Sequence, residues 1–170
     1  MKKRTKPIAT NEIKLIVYDF DGVMTDNRVI VDENGKESVI VHRGDGYGVR
    51  MIRDKLKIHQ IILSTEENSV VKRRAEKLNI QVIHGVEVKE KVLRAYCDEN
   101  NFKLSQVLFI GNDLNDLEAM QLCGKTACPS DAEPEIRLYV DYVFQAGGGF
   151  GVVRELYRML SEKSGDNDEC

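Results

Sequence analysis

The chain has 170 residues, a formal net charge of −3 and a hydrophobic fraction of 42%. That length suits one domain with enough chain for a proper core, and the charge balance gives no case for nucleic acid. No apolar run approaches the roughly 18 residues of a membrane span, and no hydrophobic segment follows the basic start Met1-Lys2-Lys3-Arg4, so residues 1–12 read as a solvated arm and not a signal peptide.

The first element is an apolar run, Ile13 to Tyr18, which reads as a buried strand. It ends abruptly in carboxylates: Asp19, Asp21 and Asp26. Unpaired buried carboxylates cost roughly several kcal/mol, so these need a cation or an open strand end. In a parallel α/β sheet, ligands bind at the carboxyl ends of the strands. Next, Asn34-Gly35 stands between two β-branched runs within residues 28–41, a strong hairpin signal. The insert is too small to be a lid domain. A flat, apolar two-stranded ribbon is marginal alone, so a subunit contact is expected of it.

Arg43-Gly44-Asp45-Gly46-Tyr47-Gly48 reads as a polar turn leading into a helix from about Tyr47 to Lys55. Its spacing is not that of a dinucleotide-binding loop. Arg43 and Asp45 can contact a substrate, or Asp45 can cap the helix. Ile58 to Leu63 is the second buried strand, ending in Ser64-Thr65-Glu66. A hydroxyl there, just ahead of a helix N-terminus, can donate to a phosphate oxygen or simply cap the helix. In that helix, roughly Asn68 to Leu78, Arg74 and Lys77 share a face and can reach an anion. Strand Ile80–Ile83 and a helix from about Val88 to Glu99 follow. Lys89, at the start of that helix, is unfavourable with the helix dipole and needs an anion.

Strand Val107–Ile110 runs into Gly111-Asn112-Asp113-Leu114-Asn115-Asp116. Lys125–Cys128 and Tyr142–Gln145 read as further short strands. The glycine-rich segment 147–151 precedes a last helix, Val152 to Leu160, and residues 161–170 form a polar, acidic tail expected to be disordered. Cys97, Cys123, Cys128 and Cys170 form no Cys-x-x-Cys pair, which suits reduced thiols in a cytoplasmic protein. His42, His59 and His84 lack zinc-ligand spacing. The strand–helix alternation implies an α/β fold with a doubly wound parallel sheet over residues 13–160.

Four of these stretches, taken in order, resemble the motifs of the haloacid-dehalogenase (HAD) phosphatase superfamily. They are Asp19-x-Asp21-Gly-Val-x-Thr-Asp26, Ser64, Lys89, and the Gly111–Asp116 stretch. The short insert and absent cap domain narrow the likeness to the small sugar-acid phosphatases. These act on 3-deoxy-D-manno-octulosonate 8-phosphate or 2-keto-3-deoxynononate 9-phosphate. The C-terminal domains of some N-acylneuraminate cytidylyltransferases share the pattern.

The resemblance implies a HAD-like, Rossmannoid fold and a magnesium-dependent reaction through an aspartyl-phosphate. Asp19 would be nucleophile and metal ligand. Asp21 would be acid/base and would bind metal through its carbonyl. Ser64 and Lys89 would hold phosphate. The first acidic position of the fourth motif is Asn112 here. Its amide oxygen can still coordinate magnesium but adds no charge, which leaves Asp113 or Asp116 to supply it. Glu66 with Arg74 and Lys77 matches the nine-carbon type, whereas Thr65, Gly147 and Phe150 depart from the pattern. Homotetramers built through the hairpin are implied too, with a neighbour's Gly-Gly segment closing each site. Two rivals remain: a tetramerisation domain that has lost its chemistry and works beside a cytidylyltransferase, and a phosphoacceptor receiver domain. The second is the weaker, because a receiver's phosphorylated aspartate ends a later strand.

Overall fold

A computed structural model describes residues 12–162. The expected basic arm and acidic tail lie almost wholly outside the described residues. Strand β1 (Leu15–Tyr18) sits at the centre of a six-stranded, all-parallel sheet. On one side lie β4 (His59–Leu63) and β5 (Gln81–Ile83); on the other lie β6 (Val107–Ile110), β7 (Lys125–Cys128) and β8 (Tyr142–Val143), giving the order β5-β4-β1-β6-β7-β8. β2 (Thr25–Val31) and β3 (Glu37–Val41) form a separate antiparallel hairpin.

Helices cover both faces, as the alternation requires. Ile16 and Tyr18 of β1 point into a core shared with α1 (Arg43–Met51), α2 (Ser69–Leu78) and α6 (Val152–Ser161). Leu15 and Val17 point into the opposite core, shared with α3 (Lys89–Glu99), α4 (Leu114–Leu122) and α5 (Pro134–Tyr139). All four side chains of β1 are fully buried, each contributing roughly 1.5–3 kcal/mol, which explains why the strand reads as an unbroken apolar run. The expected doubly wound parallel sheet stands, and among the described residues there is no large cap. No helix among the described residues is long and apolar enough to cross a membrane.

Three boundaries differ from the sequence reading. The expected turn at Arg43–Gly48 is already helix. The His42 ring caps α1 by accepting from the Gly44 N–H (3.1 Å), and Gly48 lets α1 press against α6: a Cβ there would stand 2.6 Å from the Val153 carbonyl oxygen. That packing outweighs the helix penalty of about 1 kcal/mol per glycine. The helix then runs into one π-helical turn, Ile52–Leu56, from which Arg53 donates to the Leu78 and Asn79 carbonyls at the end of α2. The hairpin starts earlier, at Thr25, with a register irregularity before Val29. Its loop is closed by Gly35 in the left-handed region (φ 75°), with Asp32 accepting from the Asn34 and Lys36 N–H groups. β8 stops at Val143, two residues short of expectation.

Candidate active site

Parallel pairing of β1 with β4 and β6 brings the ends of all three strands to one edge. Asp19 follows directly from β1, tied by its N–H to the Ile110 carbonyl (2.9 Å) and only 4% exposed. Its Oδ1 accepts from the Phe20 N–H and from Lys89 Nζ, both at 2.8 Å. Lys89, the first residue of α3, reaches a second carboxylate, Asp116 Oδ1, at 2.7 Å. Asp116 Oδ2 in turn accepts from the N–H groups of Asn112 (2.9 Å) and Asp113 (3.3 Å). The lysine that the helix dipole disfavours thus sits between two buried anions.

Burial sets the electrostatics. It raises the Asp19 pKa, and the Asp116 charge raises it further; Lys89 opposes both without cancelling them. For Lys89, burial pulls the pKa down, but Asp19 and Asp116 together outweigh that, so the ammonium stays charged. Asp21 is also held above its ordinary value, mainly by desolvation and slightly by Glu66, against a hydrogen bond from Thr25. Thr25 Oγ1 donates to Asp21 Oδ1 (3.2 Å) and accepts from the Gly22 and Asn27 N–H groups. A carboxyl group with a raised pKa beside a cleft is suited to proton transfer.

Asp19 Oδ2, the Asp21 carbonyl and the Asn112 side chain converge. One end of the Asn112 amide lies 2.8 Å from Asp21 O and 3.1 Å from Asp19 Oδ2. Three hard oxygens can be presented there, which fits magnesium. Only one of them belongs to a carboxylate, and among the described residues no three His, Cys, Asp or Glu side chains group as a metal site. Asp113, expected as a ligand, instead caps α4, its Oδ1 accepting from the Leu114 N–H (2.6 Å). Asp116 is engaged by Lys89 and two backbone N–H groups, so neither acid adds its charge directly to that cluster.

Ser64 is 1% exposed at the end of β4, with its Oγ accepting from the Glu66 N–H (3.1 Å) and its own proton available. The helix cap is Asn68, so Ser64 is not needed for that task. Glu66 and Asp21 line one cleft of about 250 Å³, together with Arg28, Glu37 and Asn68. The substrate-contact expectations for Arg43, Arg74 and Lys77 take a different turn. They line a separate cleft of about 340 Å³ with Arg50 and Arg53, between α1 and α2. Asp45 is 1% exposed and caps α6, accepting from the Val153 and Arg154 N–H groups at 2.8 and 3.1 Å; this placement withdraws it from substrate contact within the chain. The segment 147–151 packs on its own chain's loop after β1, with the Gly149 N–H donating to Val23 O, while the Gly148 N–H donates to Asp131 Oδ1 in the loop after β7.

The sequence reading passed over Thr25, Arg28, Glu37 and Asn68. Thr25 stands inside the Asp-x-Asp motif, so a signal was present; the other three carry none before the hairpin is placed over the strand ends.

The chain matches the haloacid dehalogenase-like hydrolase family model over residues 5–156. The chain belongs to that family. It is 31% identical to 3-deoxy-D-manno-octulosonate 8-phosphate phosphatase KdsC of Haemophilus influenzae, over 90% of this chain and 85% of that protein. A protein assigned to the HAD hydrolases from Streptomyces avermitilis superposes with a TM-score of 0.90 at 38% identity, covering 95% and 92% of the two chains. The Moraxella catarrhalis octulosonate phosphatase, solved with magnesium, phosphate and KDO, superposes at 0.85 with 28% identity, covering 91% and 88%. An N-acylneuraminate cytidylyltransferase of Oncorhynchus mykiss is 29% identical over 84% of this chain but only 34% of its own length.

Proposed function

We propose that this HAD-type phosphatase hydrolyses the phosphate ester of a 2-keto-3-deoxy sugar acid. The observation that carries this reading is Asp19, held by Lys89 against Asp116, next to a raised-pKa Asp21 at the cleft. Asp19 attacks phosphorus as the ester P–O bond breaks, and Asp21 delivers its proton to the leaving alkoxide. Asp21 then takes a proton from water, which attacks phosphorus and breaks the bond to Asp19. Lys89 and the Ser64 hydroxyl offset charge on the phosphoryl oxygens. Asp19, the Asp21 carbonyl and Asn112 would hold magnesium, which when bound supplies positive charge to the transferring group.

The related phosphatases favour an eight-carbon substrate. Glu66 supports a nine-carbon one, and it does line the catalytic cleft. Arg74 and Lys77 line a different cleft of this chain, and a homotetramer assembled on the hairpin would let a neighbour's pair join Glu66. The deciding experiment measures phosphate release from the octulosonate 8-phosphate and from two nine-carbon 9-phosphates, with magnesium and with chelator. Magnesium-dependent release is expected. Preference for nine carbons upholds the Glu66 argument, and preference for eight discards it while keeping the chemistry. No release from any of them turns the reading to the scaffold beside a cytidylyltransferase, which Asn112 favours by removing a metal-site charge.

A further inference from the structure

The cleft beside Asp21 has two unlike walls. Val29 and Val39 of the hairpin and Val70 of α2 give it an apolar side, while Glu37 and Glu66 give it a charged one. Asn68 sets that charged side. Its Nδ2 donates to Glu37 Oε2 (3.2 Å), its N–H donates to Glu66 Oε1 (2.7 Å), and its Oδ1 accepts from the Val70 N–H (3.1 Å) as the cap of α2. One residue thus ties a carboxylate of the hairpin and a carboxylate of the loop after β4 to the head of the same helix. Each gives Asn68 one oxygen, and an ionised carboxylate has about four acceptor sites, so both keep capacity for hydroxyl donors. Among the described residues that line this cleft the one cation is Arg28, and it is turned onto Asp26, whose Oδ2 accepts from both its Nε and its Nη2.

We propose that Glu37, held together with Glu66 by Asn68, is a specificity-determining residue: the pair accepts hydroxyl donors from the leaving group and excludes esters that carry a carboxylate close to the phosphate. The inference rests on the phosphatase reading and narrows its substrate class. A polyol chain matches both walls, with its C–H groups on the valines and its O–H groups toward the carboxylates. A carboxylate in the same place only accepts, so it takes no hydrogen bond from Glu37 or Glu66 and meets their charge instead. A site built on acceptors for hydroxyl groups discriminates strongly against an analogue that lacks the donor. In a 2-keto-3-deoxy sugar acid the carboxylate and the phosphate stand at opposite ends of the carbon chain, so neutral, hydroxylated carbons enter the cleft beside Asp21. Such a substrate passes this filter, and a short phosphorylated acid does not.

The test compares two esters of one size, glycerol 3-phosphate and 3-phosphoglycerate, which differ by a hydroxymethyl group against a carboxylate. With the full chain in magnesium, kcat/KM is measured for both, and acetyl phosphate serves as a third substrate that has no hydroxylated chain. The wild type should favour glycerol 3-phosphate by about tenfold or more, and Glu37→Gln should narrow that ratio about fivefold. Glu37→Lys should reverse it. Glutamine keeps an acceptor for Asn68 Nδ2 and removes only the charge, so the unfolding midpoint of Glu37→Gln should match that of the wild type. A Glu37→Gln ratio equal to that of the wild type overturns the inference and leaves Glu37 as a structural tie, which a lowered midpoint in Glu37→Met would then reveal. A wild type that takes both esters equally overturns it too. If acetyl phosphate is not cleaved, or is cleaved equally by Asp19→Asn, the phosphatase reading itself fails and the inference falls with it, a failure distinct from the other two.

Discussion

Lys89 Nζ and Asp116 Oδ1 lie 2.7 Å apart, with side chains 1% and 0% exposed. Neither residue could be buried this way alone, and Asp19 at 2.8 Å completes the group. Replacing Lys89 by Met leaves two carboxylates facing each other out of water. The expected loss is about 3–5 kcal/mol in denaturant unfolding, against a total of about 5–15 kcal/mol for a domain. Adding Asp116→Asn should return part of that stability without returning activity, a coupling that a double-mutant cycle measures directly.

Asp19→Asn keeps the side chain's shape and its acceptor for Lys89 and Phe20. Turnover should fall by a factor on the order of 10⁴ or more, while the thermal midpoint in chelator stays the same or rises, since a charge disfavoured by burial has gone. Substantial residual phosphatase activity, with folding intact, would remove Asp19 from the nucleophile's place.

Asp45 ties α1 to α6, and its carboxyl is held above the ordinary range by desolvation, against the N–H groups of Arg154 and Val153. Its folded-state pKa is thus above its unfolded one. The native chain binds that proton more tightly, so the contribution is fully present below the unfolded value near 4 and is lost as pH rises through the folded value. Asp45→Asn should flatten that part of the stability profile. Asp45→Ala should cost about 1–2 kcal/mol as a lost helix cap, read from urea midpoints across the same pH range.

The hairpin pairs Ile30 with Ser38, which puts Ile30 and Ile40 on one face, 60% and 58% exposed. If this face joins subunits, Ile30→Asp should convert the assembly to smaller species in light scattering and make activity fall with dilution. The same mass for variant and wild type would strike the hairpin from the interface.

What the residues disclosed and what they hid divide by distance along the chain. The end of β1 in Asp19 and Asp21, the end of β6 in Asn112, and Lys89 at the head of α3 are local patterns, and local patterns can be read. That Arg74 and Lys77 share a face is local too, but the element opposite that face is α1, and nothing in residues 69–78 says so. Asp45 reads locally as a substrate contact or as a cap for its own helix, because the N–H groups it does cap are 108 and 109 residues away. The start of α1 is hidden for the same reason: glycines that speak for a turn by propensity are overruled by Val153, which arrives about a hundred residues later.

The contact of Gly149 with Val23 therefore carries a temporal meaning. Asp19 leaves the ribosome well before the backbone that clamps its loop and the helix that Asp45 caps, both of which are supplied only after residue 147. Contacts of such long sequence separation form late, since closing the intervening loop costs entropy before any contact repays it. The carboxylates at the end of β1 are thus made before the contacts that complete their surroundings, and a growing chain carries them in an incomplete site until Gly149 has been added.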